Sequence, residues 1–246
     1  MSLLLLCGIL VGFISIVSAG GSMLTLPLLI FMGLPPIVAN GTNRISIIIQ
    51  NLFALIELRK NNLYNWKLGL LLSMPAVIGS IYGASLAIYI SDKVLNDTMA
   101  ILMIIIIALI IIKPQRYLKK LNLQFNKLHT VLLLTLFTGI GIYGGFIQAG
   151  VGFLIIIVLL LLYPKKSLVQ MHSIKTFVIT IYLLISTIIF IINGHIDWTF
   201  ATVLSIGSAI GGNLGGRFAS RVSEKSLEIL LVIIVALFSI KLLVGN

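Results

Sequence analysis

Acidic side chains are scarce in this chain of 246 residues, which has only 6 Asp and Glu against 17 Lys and Arg. All charged residues together make up 9% of the sequence, whereas a soluble domain has about 25%. Hydrophobic residues make up 59%, and the mean hydropathy is +1.19. This balance excludes an ordinary soluble protein and predicts an all-α integral membrane protein, with the lipid bilayer as its surroundings.

Residues that form disulfides or bind metals are also few. The single cysteine, Cys7, excludes an intrachain disulfide, and the 3 histidines lack the spacing of metal ligands. No Walker A pattern is present. We therefore expect no metal, no other cofactor and no nucleotide-driven step.

The net charge of +11 would indicate a nucleic acid partner in a soluble chain. Here the Lys and Arg lie mainly in short loops between apolar runs, which is the distribution that the positive-inside rule describes. We therefore expect no nucleic acid partner. The start, MSLLLLCGILVGF, also fits a signal-peptide core, but no Lys or Arg precedes it, so we expect it to belong to the first span.

Long apolar runs dominate the chain and have the length of membrane helices. The only long polar stretch is the basic linker 113–129, which can lie on an anionic membrane surface. It divides the chain into an N-terminal membrane repeat, 1–112, and a C-terminal one, 130–246. The eight apolar segments are 2–33, 38–58, 66–90, 94–112, 130–163, 168–193, 198–219 and 226–244.

The two sets of four segments resemble each other. Trp66 and Trp198 each begin a segment at an offset of 132, and Gly79 with Gly211 keeps that offset. The matched loops have opposite charge bias, since RKNNLYNWK is basic where NGHIDW is not. An internal duplication whose halves are inverted is a common design of secondary transporters.

Segments one and five raise the question whether each crosses the membrane once or folds back. The 34 residues of 130–163 would form a helix about 50 Å long, which is too long for a single crossing of a core of about 30 Å. A fold-back places nearly all Lys and Arg on one side, whereas a single crossing divides them almost evenly. The positive-inside rule thus favours re-entrant segments and inverted halves.

Glycines interrupt both of these segments. Gly20, Gly21 and Ser22 form the first break, and Gly150 and Gly152 form the second. A helix that starts at such a break points unpaired N–H groups and a positive dipole end into the membrane, which favours an anion. Close helix packing is the alternative explanation for the glycines.

Arg44 and Lys175 are cations inside apolar segments. A cation near the centre of a membrane helix costs about 2.5–3.5 kcal/mol on insertion scales, so it usually faces a partner or a wet cavity. The six acids all fall at segment ends or in loops. We expect the missing negative charge to be a small anionic substrate; the alternative is that both side chains snorkel to the interface.

Polar residues share helical faces with these cations. Asn40, Asn43 and Asn51 follow the stripe of Arg44, and His172 follows that of Lys175. Gln148 precedes the second break and adds an amide. His172 can carry a coupling proton because it titrates near neutrality, and a structural role is the alternative.

These features together resemble the TauE/SafE sulfite-exporter family of prokaryotic membrane proteins. The resemblance lies in AGGSMLTLPLLIFMGLPPIVANGTNRI, in GGFIQAGVGFL followed by SIKTF, and in the segments that Trp66 and Trp198 begin. Its glycine and threonine-centred motifs fall on Gly20–Ser22, Gly41–Arg44 and Gly150–Gly152. Val151, Pro164–Lys166 and Met171–Ser173 depart from the family pattern, the last of them where small residues and Thr, Ser or Asn are common.

The resemblance implies a multi-pass protein of the prokaryotic plasma membrane that passes small sulfur-containing anions such as sulfite or organosulfonates. Our leading hypothesis is a secondary transporter, not an enzyme, with alternating access to a midplane site between the two broken helices. An intramembrane enzyme would need Cys7 and His172 as nucleophile and base, and nothing in their spacing pairs them. A non-transporting scaffold leaves the two internal cations unexplained.

Overall fold

The computed structural model describes residues 1–17, 22–60, 66–112, 128–164 and 166–218, and this part of the chain is all helical. Three of its helices, α4, α5 and α8, are long and apolar enough to cross a membrane by length and composition. The nine described helices are α1 (Ser2–Val17), α2 (Ser22–Phe31), α3 (Pro36–Lys60), α4 (Trp66–Tyr89), α5 (Asp92–Ile112), α6 (Leu128–Phe146), α7 (Val151–Leu162), α8 (Leu168–Ile192) and α9 (Trp198–Phe218).

Local sequence explains where these helices begin and end. Pro36 opens α3, where its missing N–H costs nothing. Ser167 caps α8 through a capping box with Gln170. Gly150 precedes α7 with φ 75°, a left-handed conformation that glycine adopts without strain.

Helices α1, α3 and α9 pack side by side and run in the same direction. Gly207, Gly211 and Gly215 of α9 meet the backbone of successive turns of α1, whereas Gly212 and Gly216 meet α3. Along both contacts, higher residue numbers on α9 meet higher residue numbers on the neighbouring helix, so the helices are parallel. A small-residue face allows this close approach, so these glycines serve helix packing.

Helices α4, α6 and α8 form a second parallel group. Gly79 and Gly83 of α4 lie against successive turns of α6, and Gly141 and Gly145 of α6 lie against α4. The Ser80 hydroxyl donates to the Tyr182 carbonyl across the α4–α8 contact, 3.4 Å apart. The two groups run antiparallel, because Arg44 of α3 contacts residue 186 of α8 whereas Gly41 contacts residue 190.

The helix boundaries match most of the predicted segments to within a few residues. Segments one and five are each interrupted: α1 and α2 occupy the first, and α6 and α7 the second. Helix α6 begins at Leu128, inside the range assigned to the linker. Gly20, Gly21, residues 113–127 of the linker and segment 226–244 lie outside the described residues.

Candidate functional site

The second break, residues 147–150, is a tightly bonded loop between α6 and α7. The Ile147 N–H donates to the Tyr143 carbonyl at 2.7 Å, and the Tyr143 hydroxyl donates to the Ala149 carbonyl at 2.6 Å. Gln148 and Ala149 are fully buried. Helix α7 starts here without a side-chain cap. The Phe153 N–H donates to the Gly150 carbonyl at 3.0 Å, whereas the N–H groups of the first two residues of α7 have no intrahelical acceptor.

Arg44 lies beside this break and is the largest fully buried side chain of the described residues. Its guanidinium donates to the Gly145 carbonyl at 2.5 Å, to the Ser186 hydroxyl at 3.1 Å and to the Asn40 amide oxygen at 3.4 Å. Its carbon Cζ lies 4.2 Å from the centroid of the Phe190 ring, within cation–π range. All these partners are uncharged.

The last carbonyls of α6 therefore receive their hydrogen bonds from α3. Arg44 binds the Gly145 carbonyl, and the Asn40 amide donates to the Phe146 carbonyl at 2.7 Å. A helix that ends inside a membrane leaves such carbonyls unpaired, and a cation at its C-terminus also interacts favourably with the dipole. Arg44 is 0% exposed, so the alternative that it snorkels to the interface is wrong.

Lys175 makes the corresponding contact on the other side of the molecule. Its ammonium donates to the Ser15 carbonyl of α1 at 2.8 Å and lies 3.3 Å from His172 Nδ1. Ser15 is two residues from the end of α1. Lys175 is 3% exposed, so it does not snorkel either.

Arg44 of α3 contacts α8 at a different level from the one at which Lys175 leaves it. Ser186, which Arg44 contacts, comes eleven residues after Lys175 on the same helix. This corresponds to about 16 Å along the helix axis at 1.5 Å per residue. Each cation is thus bonded to the end of a different interrupted helix.

Several buried polar atoms near the second break have no hydrogen-bond partner. Among the described residues these include both amide atoms of Asn43, Arg44 Nε and Gln148 Nε2. Asn43 and Gln148 are 0% exposed. An unsatisfied buried group costs about 1–3 kcal/mol. Three of these four atoms are N–H donors, which a ligand rich in acceptor atoms can satisfy.

The other predicted site residues that the structure describes are Ser22, Asn51, Gly152 and Ser173. Asn51 and Ser173 are buried, and each has one unpartnered side-chain atom. Helix α2 begins at Ser22, as the break predicts, and Gly152 lies in the first turn of α7. Thr176 donates its hydroxyl to the backbone of its own helix, as does Thr180.

Sequence reasoning missed the residues that hold the second break in place. Tyr143 and Tyr182 both bond to it, and Ser186 and Phe190 contact Arg44. The sequence of α8 did contain a pattern that indicates them, because Tyr182 and Ser186 come 7 and 11 residues after Lys175 and therefore lie on the same helical face. Those residue types are common in apolar helices, so the pattern alone did not mark them.

A groove of about 700 Å³ opens between α3 and α9, away from these contacts, and its lining is almost entirely apolar. It contains Phe53, Trp198 and Ile210. Near its polar end, Glu57 accepts from Asn213 at 3.2 Å and lies 3.5 Å from Arg217. The hydrogen bonds of buried Arg44 lie at the second break and not in this groove. No group of metal-binding side chains occurs among the described residues.

Known proteins resemble this chain over most of its length. It matches the model of the family described as sulfite exporter TauE/SafE over residues 4–242. It is 27% identical to probable membrane transporter protein YjnA of Bacillus subtilis, with 98% of each chain covered. It is also 27% identical to probable membrane transporter protein ORF9 of Sinorhizobium over 62% of this chain and 58% of that protein.

No solved structure matches the chain. The family match extends from the first helix to beyond the last described one, so it includes the breaks, both buried cations and the small-residue faces of α4 and α9. Together with the apolar composition and the spanning helices, it identifies the chain as a membrane transporter protein of the sulfite exporter TauE/SafE family.

Proposed function

We propose that the protein is a secondary transporter that moves small anions, most favourably sulfur-containing oxyanions, across the cell membrane. The observation that carries this proposal is the set of unpaired donors at the second break. Asn43, Arg44 and Gln148 each carry a buried N–H group with no partner among the described residues. Arg44 bonds to the Gly145 carbonyl, and Gln148 lies three residues before α7. Donors and a positive helix end attract an anion, and the family's description names sulfite.

The helix directions support an inverted pair of repeats, 1–112 and 130–246, joined by the basic linker 113–129. Helices α1 and α3 run one way, and their counterparts α6 and α8 run the other way. Since α6 and α8 are parallel, α7 has to return the chain between them, which supports a re-entrant segment. Multi-pass insertion with halves that move against each other follows from this arrangement.

The separation of the two cations along α8 favours a binding site at one break over a single midplane site that both cations share. Arg44 keeps a net positive charge at the second break, while its contact to the Gly145 carbonyl holds the end of α6 in place. Lys175 holds the end of α1 in the same way and lies beside His172. A proton on His172 is our proposal for the coupling ion.

The test is anion uptake by purified protein in liposomes, with sulfite, thiosulfate, ethanesulfonate, sulfate and acetate as substrates. We expect sulfur oxyanions to be taken up and to compete with each other. Arg44→Gln and Lys175→Gln should reduce flux at least about tenfold, because each removes a charge-assisted contact. Lys67→Gln and Lys93→Gln, which change exposed cations, should keep wild-type flux.

Two results would reject this function. One is wild-type protein that inserts normally and takes up none of these anions above the rate of empty liposomes. The other is wild-type flux in both Arg44→Gln and Lys175→Gln. Uptake of acetate in preference to every sulfur oxyanion would instead change the substrate class while leaving anion transport in place.

A further inference from the structure

One hydrogen bond at the second break fixes the orientation of a side chain that the proposed site uses. The Tyr182 hydroxyl of α8 donates to Gln148 Oε1 at 2.6 Å, and both side chains are fully buried. A primary amide carries its acceptor and its two donors on opposite atoms. Holding Oε1 therefore also determines where Nε2 points, and Nε2 has no partner among the described residues.

The approach of Tyr182 depends on a glycine. A Cβ atom on Gly144 would lie 2.7 Å from the Tyr182 hydroxyl oxygen, which is too close for a side chain. The backbone of the loop is held separately, by the Tyr143 hydroxyl on the Ala149 carbonyl. The two tyrosines thus have different tasks: Tyr143 bonds to the loop backbone, and Tyr182 bonds to one side chain.

Asn43 provides the contrast within the same region. Its neighbours on α3, Asn40 and Arg44, bond to residues 146 and 145, so Asn43 lies at the level of the break. Neither of its amide atoms has a partner among the described residues, and its amide can present either a donor or an acceptor. Gln148 cannot do so while Tyr182 holds its oxygen.

We infer that Tyr182 is a positioning residue that keeps the Gln148 amide group turned with its N–H donors toward the substrate, and that this makes the subsite selective for the acceptor oxygens of a deprotonated oxyanion. This inference rests on the proposed function. A protonated oxygen keeps its lone pairs but has lost its negative charge, so it accepts a weaker hydrogen bond from the same amide donor. The selectivity arises from orientation, since Tyr182 itself does not need to touch the anion.

The experiment measures KM and kcat for sulfite uptake in liposomes with wild type, Tyr182→Phe, Gln148→Met and the double variant. We expect Tyr182→Phe to raise KM about tenfold, as expected for one hydrogen bond to a charged acceptor, with kcat within about threefold of wild type. The double variant should match Gln148→Met, because Tyr182 acts only through Gln148.

Two further variants separate orientation from general loss of structure. Tyr82→Phe removes a tyrosine hydroxyl from the exposed face of α4, where Tyr82 is 70% exposed, and we expect its KM to stay within about threefold of wild type. Gln148→Asn keeps the amide donors but is one carbon too short for the Tyr182 contact, so it should raise KM as Tyr182→Phe does. It also provides the measurement if Tyr182→Phe does not fold.

The outcomes distinguish this inference from the function on which it rests. Wild-type protein that takes up none of the tested anions overturns the function. If wild-type protein takes up sulfite, any of three results overturns the inference alone: an unchanged KM in Tyr182→Phe, additive effects in the double variant, or an equal rise of KM in Tyr82→Phe.

Discussion

Arg44 is a charged side chain that lies deep within an apolar protein, and its contacts explain how this is tolerated. Three hydrogen bonds and one aromatic ring surround the guanidinium. Burial of a charge is expensive unless hydrogen bonds replace water. The planar fork of arginine reaches a carbonyl, an amide oxygen and a hydroxyl at once, which a lysine ammonium on a flexible stem does not.

Arg44→Lys should therefore be harmful although it keeps the charge. Lysine can replace at most part of the contacts to Gly145, Ser186 and Asn40, and each group left unsatisfied costs about 1–3 kcal/mol. We expect a lower midpoint of thermal unfolding in detergent and at least about tenfold lower sulfite flux.

The matched control is Arg59→Lys, which changes an exposed arginine near the end of the same helix. It should leave both the unfolding midpoint and the flux unchanged. If Arg44→Lys behaves like this control in both measurements, then the three hydrogen bonds of the guanidinium do not contribute to stability or flux, and charge alone matters at position 44.

At the scale of elements, the distance between α4 and α6 depends on glycines that lie directly against the backbone of the neighbouring helix. A Cβ atom on Gly141 would collide with the carbonyl oxygen, the carbonyl carbon and Cα of Ala76. These are backbone atoms, so they cannot move aside without displacing the helix. A Cβ atom on Gly139, on the same helix, would have no neighbouring heavy atom within 4 Å.

These two glycines allow a direct test of the packing. Gly141→Ala should lower the thermal midpoint, because overpacking a close contact costs about 1–3 kcal/mol and exceeds the gain in helix propensity of about 1 kcal/mol. Gly139→Ala should leave the midpoint unchanged or raise it. The two midpoints are compared in the same detergent, and an equal effect of both variants would show that close packing at residue 141 is unimportant.

Across the whole molecule, the cations connect the two halves at matching places. Arg44 of α3 binds the carbonyl of Gly145, and Lys175 of α8 binds the carbonyl of Ser15. Both pairs, Arg44 with Lys175 and Ser15 with Gly145, are separated by nearly the same number of residues, 131 and 130. Each half thus holds the interrupted helix of the other.

The proposed inverted arrangement predicts that matching loops lie on opposite sides of the membrane. Lys67, at the start of α4, and Asn193, directly after α8, are both exposed. Helices α4 and α8 are parallel and Gly69 faces Phe177, so residue 193 lies sixteen residues further along α8, about 24 Å away.

Single cysteines test this prediction in a Cys7→Ser background. An impermeant thiol reagent applied to intact cells should label only one of Lys67→Cys and Asn193→Cys, and should label the other after the membrane is opened. Labelling of both from the same side would contradict inverted halves. The labelled variants must also transport sulfite as the parent does, which confirms that they are folded.

The sequence by itself determined the class of the protein, most helix boundaries and the break at Gly150, because hydropathy, glycine and proline act locally. It also indicated that Arg44 and Lys175 lie within apolar helices. Only the tertiary structure decided what these cations bind, since their carbonyl partners are 101 and 160 residues away in the chain. The roles of Tyr143 and Tyr182 needed the same information, because a tyrosine in an apolar helix shows its partner only when the helices are packed.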